Sequence, residues 1–199
     1  MVIEFDKQSY WSDRFANESS FEWLVSSDTF MAILEPYLEQ LPPSAQILNV
    51  GSGTSHLHSY LRGRGFKGVT NLDYEPLAAD RGTQLEKEAF GDVALSYLVA
   101  DATQLESIQD HHGKYHLVVD KSTCDAIACA GNESMLRMAQ GIKQCLMQGG
   151  LWIALSLSAQ RFDVPGLPFD VCVIAQIPTP KVRPTDPDIF HWCYELSPK

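Results

Sequence analysis

The chain has 199 residues, 45% of them apolar, which predicts a single domain with ample material for a core. Its 25 acidic residues outnumber 15 Lys plus Arg; the net charge of −10 repels nucleic-acid backbones and favours a basic or neutral partner, either a protein or a small molecule. No stretch reaches the roughly 18 apolar residues of a membrane span.

The N-terminus, Met1 to Lys7, lacks a signal-peptide h-region, so a cytoplasmic location is expected, with the nucleus as the alternative. Tyr10 to Leu24 is unusually aromatic, with Tyr10, Trp11, Phe15, Phe21 and Trp23 around Arg14. It reads either as an amphipathic cover helix packed on the fold or as a lid over a ligand, since aromatic faces attract cations and exclude water. Asp28 to Leu41 has helical apolar spacing, and Pro42-Pro43 stops it.

The stretch Gln46 to Ser55 organises the rest. A buried strand, Ile47 to Val50, runs into Gly51-Ser52-Gly53, and a helix follows over His56 to Arg64. Glycines at 51 and 53 can take unusual backbone angles and admit a ligand against the main chain. The helix start that follows favours a carboxylate or phosphate. A second strand, Val69 to Leu72, ends in Asp73, placed to accept hydrogen bonds from ribose hydroxyls. Pro76 opens a helix running to Phe90. Two further apolar segments, Tyr97 to Ala100 and Tyr115 to Val119, end in Asp101 and Asp120. Carboxylates closing successive parallel strands line the edge where open α/β sheets bind ligands, although any one of them can instead be a helix cap. His111, His112 and His116 lie in a polar loop without a matching Cys/His set, so no metal site is expected.

A helix is predicted over Glu133 to Met147, terminated by Gln148-Gly149-Gly150. Leu151 to Leu157 is a buried strand, and Val171 to Ile177 and Ile189 to Leu196 form an antiparallel hairpin across a proline-rich connector. Five cysteines without a CxxC pair read as reduced thiols. The sum is a doubly wound α/β sheet of seven strands, mostly parallel with an antiparallel C-terminal hairpin and helices on both faces. It divides into an N-terminal aromatic lid and helix (1–41), a cofactor-binding core (46–160) and C-terminal strands on the acceptor side (161–199).

Gly51-Ser-Gly-Thr-Ser55, Asp73-Tyr74, Asp101-Ala102 and Asp120-Lys-Ser-Thr-Cys-Asp-Ala126 resemble the motifs of class I S-adenosylmethionine-dependent methyltransferases. With Tyr10-Trp11-x-x-Arg14-Phe15 and Glu22-Trp23, they are similar to the methyltransferase-like branch, of Rossmann-like fold, containing elongation factor 1-alpha lysine methyltransferases. The resemblance implies S-adenosylmethionine as cofactor and a protein lysine amine as acceptor. It implies that Gly51 and Gly53 face the methionine part, Asp73 holds the ribose and Tyr74 flanks the adenine. Asp101 and the Ala102 N–H would meet the adenine edge, and Lys121 would line the methionine end with Asp120 balancing its charge. Trp11, Phe15 and Trp23 would close over the cofactor, and Arg14 would pair with its carboxylate. Glu75 and Cys124 depart from the pattern on the acceptor side, and the chain after Ser158 shows little similarity to it.

A lysine acceptor must shed a proton first, its reference pKa being about 10.4. The general base is unassigned; Asp125 and Tyr10 are candidates, and Asp125 reads equally as a structural hydrogen-bonder. A small-molecule methyltransferase of the same fold and a non-catalytic cofactor- or partner-binding module are the alternatives. A nicotinamide dehydrogenase would want glycine where position 56 is His.

Overall fold

The computed structural model describes residues 5–199; the first four residues, and with them much of the stretch read for a leader, lie outside it. Two helices, α1 (Gln8–Asn17) and α2 (Ser27–Leu38), precede the sheet. The sheet then alternates β1 (Gln46–Val50), α3 (Leu57–Gly63), β2 (Gly68–Asp73), α4 (Pro76–Phe90), β3 (Ser96–Val99) and β4 (Tyr115–Lys121). After α5 (Thr123–Ala128) and α6 (Asn132–Cys145) come β5 (Leu146–Ser156), β6 (Phe169–Pro178) and β7 (Phe190–Pro198). The strand order is β3-β2-β1-β4-β5-β7-β6. The first five strands are parallel; β7 runs antiparallel to both β5 and β6, as the hairpin pattern predicts.

Strand alternation divides the core into two layers. Leu48, Val50 and Val118 face α6, whose Met135, Met138 and Ile142 pack there with Trp152 and Phe169. Ile47, Leu117 and Val119 face the opposite side, where Phe30, Met31 and Leu34 of α2 meet Leu57 and Leu61 of α3. The order reverses between β1 and β4, and their C-terminal ends open the crevice in which such sheets carry ligands.

Three predicted spans change. The aromatic leader is not one helix: α1 ends at Asn17, and the chain then runs irregularly to Ser26, with Leu24 at φ +63. Two acids draw this segment onto the sheet edge, as described below. The helix expected to reach Met147 ends at Cys145, because Gly113 N–H and Lys114 N–H cap the carbonyls of Gln144 and Cys145. Leu146 already pairs with Tyr115, and the next pair is Leu117 with Leu151, so Gly149-Gly150 form a bulge in β5 rather than a helix stop. The short α5 falls inside the stretch read as a motif and was not expected. The histidines of the loop before β4 have separate partners: His111 the Tyr115 hydroxyl, His112 the Glu106 carbonyl, and His116 the Gln46 N–H.

Candidate functional site

A cavity of about 480 Å³ opens at the C-terminal ends of β1, β2, β3 and β4. Its floor is the glycine turn. Gly51 and Gly53 lie at φ +59 and +50, where an L side chain is strained, and a Cβ on Gly51 would come within 2.0 Å of the Thr123 hydroxyl. Bare backbone is therefore required here, and it faces the cavity.

Asp73 is buried beside this turn. One carboxylate oxygen accepts from Gly53 N–H at 2.9 Å and the other from Glu75 N–H at 3.0 Å. Burial pushes its pKa up to about 6, against the pull of those two N–H groups. Tyr74 and Ala102 line the same wall. Asp101 accepts from Thr103 N–H at 2.8 Å and from Gln104, so it caps the 3₁₀ turn Ala102–Ser107 while still reaching the cavity. Asp101 stays below its ordinary pKa: burial raises it, and these donors outweigh burial.

Asp120 does something else. It is fully buried, is absent from the cavity wall, and accepts from Thr123 N–H at 2.7 Å and from Cys124 N–H, capping α5. Burial raises its pKa to about 7, with Asp125 nearby adding to the rise. The Asp120–Lys121 pair expected from the sequence does not form, because successive strand residues point to opposite faces. Lys121 is instead paired with Glu22 and also donates to the carbonyls of Trp23 and Val25.

Glu22 was read only as part of the Glu22-Trp23 motif, with no role of its own. Its carboxylate accepts from Lys121 Nζ, from His56 N–H at 2.9 Å and from Ser27 Oγ at 2.8 Å, tying β4, the start of α3 and α2 to one side chain. The helix-start N–H group expected to meet a ligand anion is thus already taken. Burial raises the Glu22 carboxyl, but these donors outweigh it and hold it below the usual value; burial lowers the Lys121 ammonium more than Glu22 raises it. Glu18 adds a second tie, accepting from Thr54 Oγ1 at 2.5 Å. Together they hold the segment 18–26 across the glycine turn, and the adjacent Glu22-Trp23 was the one signal available for this in the sequence.

Aromatic rings roof the cavity as a result. Trp11, Phe15, Phe21 and Trp23 all line it, with Trp11 packed edge-on to Trp23 and tilted against Phe15. Arg14 and Tyr10 lie behind this roof, outside the cavity wall. Arg14 pairs with Glu18 at 2.7 Å and stacks over Phe21 and Trp23, so its charge is used inside the protein, contrary to the expected pairing with a ligand carboxylate. Tyr10, the other candidate base, packs on Phe5 and Trp11 and accepts from Arg14, outside the cavity wall. Asp125 does reach the cavity, but its two oxygens accept from Ser122, Ser156, Leu157 N–H and Arg161. A carboxylate so engaged is a structural hydrogen-bonder, not a free base. Arg161, from a stretch carrying no sequence signal, joins Leu157 on the same wall.

The site thus combines a backbone cradle, carboxylates at two strand ends and an aromatic roof. Searched against models of known families, the chain matches none. It is 59% identical over 198 residues to "Methyltransferase srdJ" of Neurospora crassa, covering 98% of this chain and 85% of that protein. The chain belongs to the class I S-adenosylmethionine-dependent methyltransferases. It resembles their elongation-factor branch: the zebrafish (Danio rerio) "eEF1A lysine and N-terminal methyltransferase" is 28% identical over 161 residues, 79% of this chain but only 22% of that protein. The fold matches a solved S-adenosylmethionine-dependent methyltransferase from Anabaena variabilis at a TM-score of 0.68 and 12% identity, over 98% of this chain and 95% of that one. Being a methyltransferase of this class, the protein uses S-adenosylmethionine as its cofactor. The residues present fit that molecule: the turn at Gly51 and Gly53 offers a ligand bare backbone on the cavity wall, carboxylates suit hydroxyl and amino groups, and ring faces suit a sulfonium.

Proposed function

We propose that this methyltransferase acts on a nucleophilic atom of a small molecule. The observation that carries the reading is the state of the charges beyond Lys121. Among the described residues of that wall, the carboxylate of Asp125 is fully engaged and the charged group beside it is the Arg161 guanidinium. Asp125 and Arg161 neutralise each other, so a lysine acceptor, which must first lose a proton, would find no uncommitted acid on that wall to take it. Transfer to a protein lysine is the second reading, favoured by the name of the zebrafish relative.

Asp73 would hold the ribose hydroxyls, Tyr74 would flank the adenine, and Asp101 with the Ala102 N–H would meet the adenine edge. Gly51 and Gly53 would let the methionine part lie on the main chain, with Lys121 lining that end. When bound, S-adenosylmethionine supplies a methyl group activated by the positive sulfur. Trp11, Phe15 and Trp23 exclude water and present ring faces to that charge. The chain's remaining task is alignment, which accounts for about 7–11 kcal/mol of barrier in well-oriented reactions. Neither Asp125 nor Tyr10 is placed to take a proton, so the acceptor arrives with its lone pair available. The protein works in the cytoplasm on this reading, and no helix among the described residues is long and apolar enough to cross a membrane.

Incubation with methyl-labelled S-adenosylmethionine and a fractionated cell extract, followed by separation into protein and small-molecule pools, tests the proposal. Label in the small-molecule pool is expected. Label confined to protein, released on hydrolysis as methyl-lysine, would establish the second reading. Cofactor binding by calorimetry with no label in either pool would indicate a binding module.

A further inference from the structure

The outer wall of the cavity contains a cation held at one end only. Asp125 on α5 is buried, and both of its oxygens are occupied. Oδ2 accepts from Ser122 Oγ and Leu157 N–H, each at 3.0 Å. Oδ1 accepts from Ser156 Oγ at 2.5 Å and from Arg161 Nε at 2.8 Å. Ser122 makes its bond from a left-handed backbone, φ +78, a conformation that a non-glycine residue adopts at a cost. Arg161 Nε also reaches Ser156 Oγ at 3.3 Å. Every side-chain bond of Arg161 therefore runs through Nε, and Nη1 and Nη2 have no partner among the described residues. The side chain is 16% exposed and forms part of the cavity wall beside Leu157 and Ile127.

A guanidinium anchored through Nε has a fixed plane and presents its two terminal nitrogens as a fork. That fork matches a carboxylate, and the apolar surroundings strengthen such a bond relative to water. We propose that Arg161 selects the acceptor by receiving a carboxylate group that the acceptor carries apart from its methylated atom, and that Asp125 is the positioning residue that aims it. The inference rests on the reading of this cavity as the methyl-transfer site and deepens it: the substrate class is a small organic acid.

The test uses the full-length protein saturated with S-adenosylhomocysteine, the cofactor without its methyl group, and compares benzoate with benzamide. The two probes share shape and differ in charge. Calorimetry or ligand-observed NMR should show benzoate binding at least ~10-fold more tightly. Arg161→Gln should abolish that preference while S-adenosylhomocysteine affinity stays within about two-fold of the parent. Arg161→Lys keeps a cation beside Asp125, so it preserves the fold if Gln does not, and it should lose most of the preference with the fork. Asp125→Asn should weaken benzoate binding without changing cofactor affinity. Equal binding of the two probes, or a preference that survives in both Arg161 variants, would overturn the proposal. Failure of S-adenosylhomocysteine to bind would count against the cofactor reading instead, and the same probe comparison on the protein alone would still decide the role of Arg161.

Discussion

Glu22→Gln removes a charge and changes almost no volume, so its effect isolates the ion pair that ties the aromatic roof to the sheet. In the parent, Glu22 is the one anionic partner of Lys121 Nζ among the described residues, and the Lys121 side chain is only 5% exposed. A glutamine can keep the bonds from His56 N–H and Ser27 Oγ through its amide oxygen, but it then turns an NH₂ group toward the ammonium. The Lys121 charge would be left with the Trp23 and Val25 carbonyls, at 3.2 and 3.3 Å. Breaking a fully buried pair costs about 3–5 kcal/mol. Glu22 is a quarter exposed, so water enters and the cost falls to about 2 kcal/mol. Glu18 still holds Thr54, so the loss loosens the roof without unfolding the domain. If that energy appears in the closed state of the roof, the dissociation constant for S-adenosylmethionine rises by up to ~30-fold. Calorimetry measures this directly, with thermal unfolding alongside. The sign with pH is also set. The folded Glu22 carboxyl lies below its ordinary value, so the pair stabilises above about pH 4.5 and is lost as pH falls through the lower folded value. Parent and variant should converge in acid. A Glu22→Gln protein that binds cofactor within two-fold of the parent would refute the reasoning.

Asp73→Asn should weaken cofactor binding by about 10- to 100-fold, since a charged acceptor is worth roughly 1.5–3 kcal/mol. In the parent, affinity should fall as pH drops through about 6, where the carboxylate takes up a proton; in the variant this step should be missing. Because the folded pKa is raised, charged Asp73 costs stability above pH 6 and the cost fades as pH falls, so a binding loss caused by unfolding would run the opposite way. Gly51→Ala places a Cβ on the Thr123 hydroxyl at positive φ, and a loss of at least about 2 kcal/mol is expected in urea unfolding. An unchanged midpoint would mean that the turn can relax. Trp11→Ala should reduce cofactor affinity or turnover with thermal stability nearly intact; a large drop in melting temperature with unchanged binding would mark the ring as plain packing.

Legibility followed sequence separation. The glycine turn, the alternating strands and helices, and the late antiparallel pair each depend on neighbours in the chain, so Gly51, Gly53, Asp73 and the run Leu151 to Leu157 could be read directly. The three strand-end aspartates were harder. All of them satisfy nearby backbone N–H groups, as a cap would, yet Asp73 and Asp101 also face the cavity while Asp120 does not. A one-residue shift along a strand separates those outcomes, and no local pattern marks it.

What the amino-acid order determined alone is the sheet, its ligand edge and the bare backbone at its centre, because periodicity and missing side chains act over a few residues. Tertiary structure decided which charges are spent and which remain. Glu22 meets Lys121 across 99 residues, and Asp125 meets Arg161 across 36. Only the folded chain brings such distant groups within hydrogen-bond reach, and it is that pairing that engages both oxygens of Asp125 and anchors Arg161 through Nε.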